Sequence, residues 1–285
     1  MLTIKRNKKI IYFIVYVVLS IAIIVAIFPV AWMILTSFKT RVQIFSIPPT
    51  FTFKPTLGNY QEMFAAKGAA RYSQEGYLKY IINSLFIATV STLFSLFIGS
   101  LAAYSLSRFR LWHHEDIAFW ILSTRMAPAA AAVLPFYLIL KTFHLLDTQA
   151  GLILVYTVFN LAFVIWMMRS FFDEIPRELD EASMIDGCSR LGSLIKVIFP
   201  LSAPGFVATA VFCMIFSWNE FYFALILTGT RARTLPVAAT GLITPSETLW
   251  GLICSIGTFM FIPLLIFAWF LQRYLLRGLT FGAIK

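Results

Sequence analysis

Two ionisable side chains, Arg125 and Glu220, stand inside otherwise apolar stretches of the chain. A charge in hydrocarbon is costly unless it is paired or wet, so both are functional candidates by default. With the neighbouring Trp218 and Asn219, they could face a water-filled pathway. A guanidinium, an amide and a carboxylate would bind polar groups of a solute there, and an indole would offer it a flat apolar face. The competing reading is a structural pair that locks two helices together. Arg125 stands about 8 residues, roughly 12 Å, from the start of its segment, and Glu220 about 17 residues, roughly 25 Å, from its own. Direct pairing therefore needs a kink, which Pro128 could supply. Asn83 and Asn160 read as interhelical hydrogen-bonding residues, and the Gly99/Ala103 spacing as a helix-packing seam.

A second concentration of chemistry is acidic. Six of the thirteen carboxylates (Asp173, Glu174, Glu178, Asp180, Glu181 and Asp186) fall within fourteen residues. Among them Ile175, Leu179, Ala182 and Ile185 recur at helical spacing, which predicts a short amphipathic helix. Pro176 suits its first turn, and Gly187 can end it in a left-handed conformation. Ser189 can cap a second helix with an apolar stripe of Leu191, Leu194, Ile195 and Ile198, stopped by Pro200. Helices that lie on lipid are usually rich in Lys and Arg, because the inner leaflet is anionic. An acidic, sharply turned projection suits a basic groove on a protein partner instead.

Other constellations are weak. Cys188, Cys213 and Cys254 have no CxxC or His partner at ligand spacing, and His113 and His114 beside Glu115 and Asp116 read as a solvated turn, so no metal is expected. Gly187 to Gly192 keeps the GxxxxG spacing of a phosphate loop but lacks the Lys-Ser/Thr, and it follows a helix rather than a strand. Nothing predicts covalent chemistry. If the protein drives transport uphill, the energy must come from another subunit or from an ion gradient.

The elements that position these residues are membrane helices. Of the 285 residues, 60% are hydrophobic and only 13% charged, about half the charge of an average soluble domain. Apolar segments long enough to span occur at 10–38, 80–107, 117–140, 148–168, 201–230 and 248–272. This predicts an all-α integral membrane protein with six transmembrane helices forming one transmembrane domain. Barrel strands are excluded because they alternate polarity over about 10 residues, and a cleaved signal peptide because the first apolar stretch is too long. Lys5, Arg6, Lys8 and Lys9 place segment 1–9 in the cytoplasm, and six crossings return the tail 273–285 to the same side. The bias is 13 basic residues inside to nine outside, weakened by six in the outer loop 39–79. The net charge of +10 is therefore a topology signal, and no nucleic-acid partner is expected.

The acidic loop 169–200 also carries a resemblance. Glu181-Ala182-Ser183-Met184-Ile185-Asp186-Gly187, followed by Pro200-Leu201, is similar to the EAA loop of ABC-type import permeases. Ser183, Cys188 and Leu194 depart from the common residues by small or apolar swaps. Thr56 to Tyr60, Asn83 to Leu85, Arg125 to Pro128, Trp218 to Phe221 and the tail Gly278 to Lys285 extend the likeness to carbohydrate importers of the maltose type, specifically the second, six-helix permease of a pair. The resemblance implies a coupling helix between the fourth and fifth transmembrane helices, with Glu181, Ala182, Ser183, Asp186 and Gly187 docking on an ATPase subunit. It implies no cofactor on this chain, with ATP and Mg on two partner ATPase subunits. It further implies a second permease, a periplasmic or lipid-anchored solute-binding protein, a sugar or polyol substrate, and a multi-pass place among the lipids of a bacterial inner membrane. The Gly-rich tail could reach between the ATPase subunits. A non-carbohydrate cargo remains an alternative. So does an ion-driven transporter, though that would need inverted repeats and several midplane carboxylates where the chain offers one.

Overall fold

The computed structural model describes residues 2–65, 76–109, 112–244 and 247–281. Its helices run in order α1 (Leu2–Ser37), α2 (Arg41–Ile44), α3 (Gly58–Phe64), α4 (Tyr77–Arg108), α5 (His114–Thr124), α6 (Ala129–Thr142) and α7 (Gln149–Asp173). They continue with α8 (Arg177–Ile185), α9 (Arg190–Ser193), a π turn at Leu194–Ile198, α10 (Phe199–Leu201) and α11 (Ala203–Trp218). Last come α12 (Tyr222–Leu227), α13 (Leu235–Thr240) and α14 (Trp250–Phe281). Among the described residues the regular secondary structure is helical, apart from an isolated bridge between Ile243 and Thr248.

Among the described residues, four helices are long and apolar enough to cross a membrane unaided: Tyr12–Ser37, Tyr77–Arg108, Gln149–Asp173 and Trp250–Trp269. The count rises to six if each of two bent helix pairs is one span. The segment expected as the third span, 117–140, is bent, because α5 and α6 meet at 90° across Arg125 to Pro128. Pro128 has no N–H to donate, and proline disfavours helical geometry in the residue before it. The segment 201–230 is likewise interrupted. It enters α11 through a 77° bend, and α11 ends at Trp218, ahead of the separate α12. The expected tail 273–285 continues α14 as far as Phe281, and Gly282 to Lys285 lie outside the described residues.

The chain divides into two compact units. The first comprises residues up to Gly76 together with Gly241–Phe261. Here α1 is apolar and exposed along residues 12–29. Asn59 Nδ2 closes the end of α1 by donating to the carbonyls of Ser37 and Lys39 at 2.8 and 3.1 Å. Lys39, only 2% exposed, donates to the Thr50 carbonyl at 2.7 Å, with its ammonium 4.4 Å from the Trp32 ring centre. Arg41 pairs with Glu247. Lys39 and Arg41 are thus engaged in local folding.

The second unit comprises Tyr77–Thr240 and the end of α14 from Ile262. Its centre is the close pairing of α4 with α7. A Cβ on Gly99 would stand 2.6 Å from Val164 Cγ1, so only glycine permits this approach, and the Gly99/Ala103 seam is a helix contact. Hydroxyls spaced along α4 tie it to its neighbours: Ser95 donates to the Thr157 carbonyl at 3.2 Å and Ser91 to Ser217 Oγ at 3.3 Å. One apolar core gathers Ile87, Leu140, Leu152, Val155 and Phe223. A second joins Tyr104, Val164, Met168 and Phe172 to Leu194, Ile198 and Cys213. Asn83 donates to the carbonyls of Arg231 and Arg233 at 2.9 and 3.1 Å and accepts from Gln149 at 2.7 Å. Asn83 and Asn160 are both buried, and Asn160 donates to Ser217 Oγ at 2.9 Å.

Candidate functional site

The acidic loop folds as an elbow. Pro176 stands at the N-cap of α8 in extended geometry. The helix closes with two bonds, from Gly187 N to the Met184 carbonyl and from Cys188 N to the Ser183 carbonyl, which form a Schellman motif. Gly187 takes φ +87° in open space, so conformation rather than crowding selects glycine there. Ser189 Oγ then accepts from Gly192 N at 3.1 Å and starts α9. The second helix turns through the π segment to Leu201, one residue beyond the expected stop at Pro200.

The faces of the elbow differ from the sequence expectation. Ile175 is half-buried, while Leu179, Ala182 and Ile185 are exposed, Ile185 at 86%. The inward side of α8 holds Asp180 and Ser183 instead. The cause is an ion pair, with Arg108 Nε 2.6 Å from Asp180 Oδ2. Once that carboxylate turns inward, the apolar stripe must turn out. In the second helix Leu194 and Ile198 enter the core while Leu191 and Ile195 stay exposed. Glu181, Ala182, Asp186 and Gly187 are exposed together. Ser183 is not with them: it is 7% exposed and donates to the Asp180 carbonyl at 2.8 Å, so it belongs to the inner side.

The break between α5 and α6 opens a cavity of about 250 Å³ lined by Arg125, Tyr156, Asn160, Phe216, Ser217 and Glu220 among others. Arg125 and Glu220 both border it but form no ion pair. Arg125 donates to the Phe159 carbonyl at 2.9 Å and stacks 4.5 Å from the Phe216 ring centre. Glu220 accepts from Tyr156 Oη at 2.7 Å and from Phe223 N and Ala224 N at 2.8 and 3.1 Å. Its carboxylate thus caps the start of α12. Trp218, expected to offer a stacking face, is 3% exposed and outside the cavity wall. Asn219 is exposed and closes α11 by donating to the Ile215 carbonyl at 2.9 Å. The structure therefore brings together Arg125, Glu220 and Asn160, and leaves Trp218 and Asn219 outside.

Several residues escaped the sequence reading. Tyr156 holds Glu220 from 64 positions away, a separation with no periodic signal. Asp180 looked like any other acid of the run. Its one mark was a place opposite the apolar stripe, with Arg108 the first charge after the long apolar segment of α4. Asp147 was also missed. It takes φ +54° and accepts from the amides of Gly229, Thr230, Arg231 and Ala232 at 2.7 to 3.1 Å. Partial burial pushes the Asp147 carboxyl up, but the four amides outweigh it and hold the group below its ordinary value near 3.8. Among the described residues no group of three or more His, Cys, Asp or Glu could hold a metal ion.

Comparison with known proteins agrees with this architecture. Over 283 residues the chain is 37% identical to a probable ABC transporter permease of Sinorhizobium fredii, covering 99% of this chain and 98% of that protein. It is 34% identical to the sulfoquinovosyl glycerol transport system permease of Agrobacterium fabrum, covering 95% and 93%. It is 35% identical to the trehalose/maltose transport system permease of Thermococcus litoralis, covering 92% of each. In fold it is similar to a chain in the crystal structure of a bacterial ABC transporter that imports the acidic polysaccharide alginate. That likeness has a TM-score of 0.78 at 21% identity, over 94% of this chain and 98% of that one. Residues 4–281 match a single family. The chain is a multi-pass membrane protein, a transport subunit rather than an enzyme, and it belongs to the family of binding-protein-dependent transport system inner membrane components.

Proposed function

We propose that this chain is one permease subunit of an ATP-driven importer that carries a sugar or polyol across a bacterial inner membrane by alternating access. One observation carries the proposal: an exposed face of Glu181, Ala182, Ile185 and Asp186, rigidly turned at Gly187, on a chain otherwise built for lipid. Two partner ATPase subunits, holding ATP and Mg, engage this face with basic and apolar surface, and their closure moves the elbow. A second permease completes the pathway, and a solute-binding protein delivers substrate on the opposite side, where loop 39–79 offers a docking surface. Six crossings with both termini cytoplasmic place the elbow on the ATPase side. The cargo is read as carbohydrate because the sulfoquinovosyl glycerol and trehalose/maltose permeases are similar along nearly their whole length. Within this chain Arg125, Asn160 and Glu220 border the pathway.

The test is to purify the chain with the proteins that accompany it, reconstitute them in proteoliposomes and supply labelled mono- and disaccharides. Uptake that requires ATP and the binding protein is expected. Uptake by this chain alone, driven by an ion gradient, would refute the proposal.

A further inference from the structure

Inside the elbow lies a cluster of buried charge that neither docking nor substrate binding uses. The Arg108 and Asp180 side chains are only 5% and 8% exposed. The second carboxylate oxygen, Asp180 Oδ1, accepts from Ser193 Oγ at 2.7 Å and from Tyr104 Oη at 3.2 Å. Three helices thus meet at one carboxylate: Tyr104 and Arg108 come from the end of α4, Asp180 itself from α8, and Ser193 from α9. Arg108 also donates to the Ile175 carbonyl at 2.8 Å, and Arg177 returns the tie by donating to the Ser107 carbonyl at 2.9 Å. A buried ion pair adds little net stability, because desolvation offsets the attraction. It does enforce geometry, since either charge left alone in that site is severely penalised.

The other end of α4 is fastened as well. Asn83 holds the carbonyls of Arg231 and Arg233, and Leu235 N donates to Ser84 Oγ at 2.8 Å. With 32 residues, α4 is about 48 Å long. We infer that the Asp180–Arg108 pair is a rigid joint that makes the elbow and α4 move as one body, so that α4 carries elbow displacement to segment 231–235 at its far end. Asp180 and Arg108 are positioning residues for transport and touch neither substrate nor ATPase. The inference rests on the proposed importer function.

The experiment uses the reconstituted complex and reads two quantities, ATP hydrolysed and substrate taken up. In Asp180→Asn hydrolysis persists while uptake per ATP falls by about tenfold or more, as expected when one partner of a buried pair is removed. Asp180→Glu restores most of the ratio. An unchanged ratio in Asp180→Asn overturns the joint while leaving the importer reading intact; wild-type uptake that ignores ATP overturns both. A second measurement holds even if Asp180→Asn fails to assemble. Phe109 and Arg190 are exposed and in contact across the joint, with the guanidinium 5.1 Å from the ring centre. A reducible cross-linker between F109C and R190C, with the native cysteines replaced by alanine, should leave uptake unchanged if the two parts move together. Loss of uptake that returns on reduction shows that they slide, and overturns the inference.

Discussion

In the elbow the buried carboxylate faces a guanidinium at 2.6 Å, whereas at the cavity Glu220 is held by a phenol and two amides and Arg125 by a carbonyl and two aromatic rings. The elbow neutralises its inner charge and leaves other acids outside. The cavity keeps charges of both signs near one another without letting them pair. A neutralised pair fixes shape and offers nothing to a ligand. Of the five N–H donors of a guanidinium, that of Arg125 commits one to protein among the described residues, so the cavity retains donors for water or a passing hydroxyl. Charge serves rigidity in one region and availability in the other.

The largest expected effect is in the elbow. Gly187→Val places a β-branched residue at φ +87°, a region where such residues are outliers; even an ordinary residue costs about 1–2 kcal/mol in left-handed helical geometry. The elbow should lose its angle and uptake should fall more than about tenfold, while the chain still reaches the membrane fraction. Gly187→Asn should retain more activity than valine, because asparagine tolerates that geometry. If valine is as active as wild type, the turn is not what the partner reads. Glu181→Lys comes next, reversing an exposed charge without touching the joint. ATPase subunits should be retained less well in affinity purification, with a loss that depends on salt concentration.

Effects in the cavity should be smaller. Glu220→Gln keeps one oxygen acceptor but loses the charge shared by Tyr156 and two amides, at a cost of about 1–3 kcal/mol. Uptake should slow several-fold with the complex still assembled, and unchanged uptake kinetics would assign Glu220 to capping α12 alone. Phe216→Leu removes one face of the Arg125 stack, worth about 1 kcal/mol, and should move the apparent KM for substrate more than complex stability. The smallest effect concerns Asp147. Its carboxyl is held below its usual value in the folded protein, so it contributes stability above the unfolded value near 3.8 that is lost as pH falls through the folded one. Hydrogen exchange at residues 229–232 should accelerate in that acid window, and Asp147→Asn should show part of the acceleration already at neutral pH.

The boundary features of the elbow were legible in sequence because they are local. Pro176, Gly187 and Ser189 each act within a few residues, and the structure shows Pro176 at the start of α8, the left-handed glycine and the Ser189 cap. Which face turned inward was not legible, since it depends on Arg108, 72 positions before Asp180 in the chain and unmarked by any spacing. The membrane helices were legible as apolar runs, and Pro128 marked a kink inside 117–140, but its 90° angle was not legible. Hydropathy counts side chains and does not register a backbone interruption. Trp218 misled because its residue type suggested stacking, whereas packing in α11 enclosed it.

The break at Arg125 to Pro128 has a consequence for how the protein meets its solvent. No side chain caps the start of α6, and helix ends leave peptide groups without intrahelical partners. Hydrocarbon cannot satisfy such groups, so irregular backbone at membrane depth survives only against protein or water. That bend therefore demands protein or water against it, and bare hydrocarbon at the corner that holds Arg125 would leave its peptide groups unsatisfied.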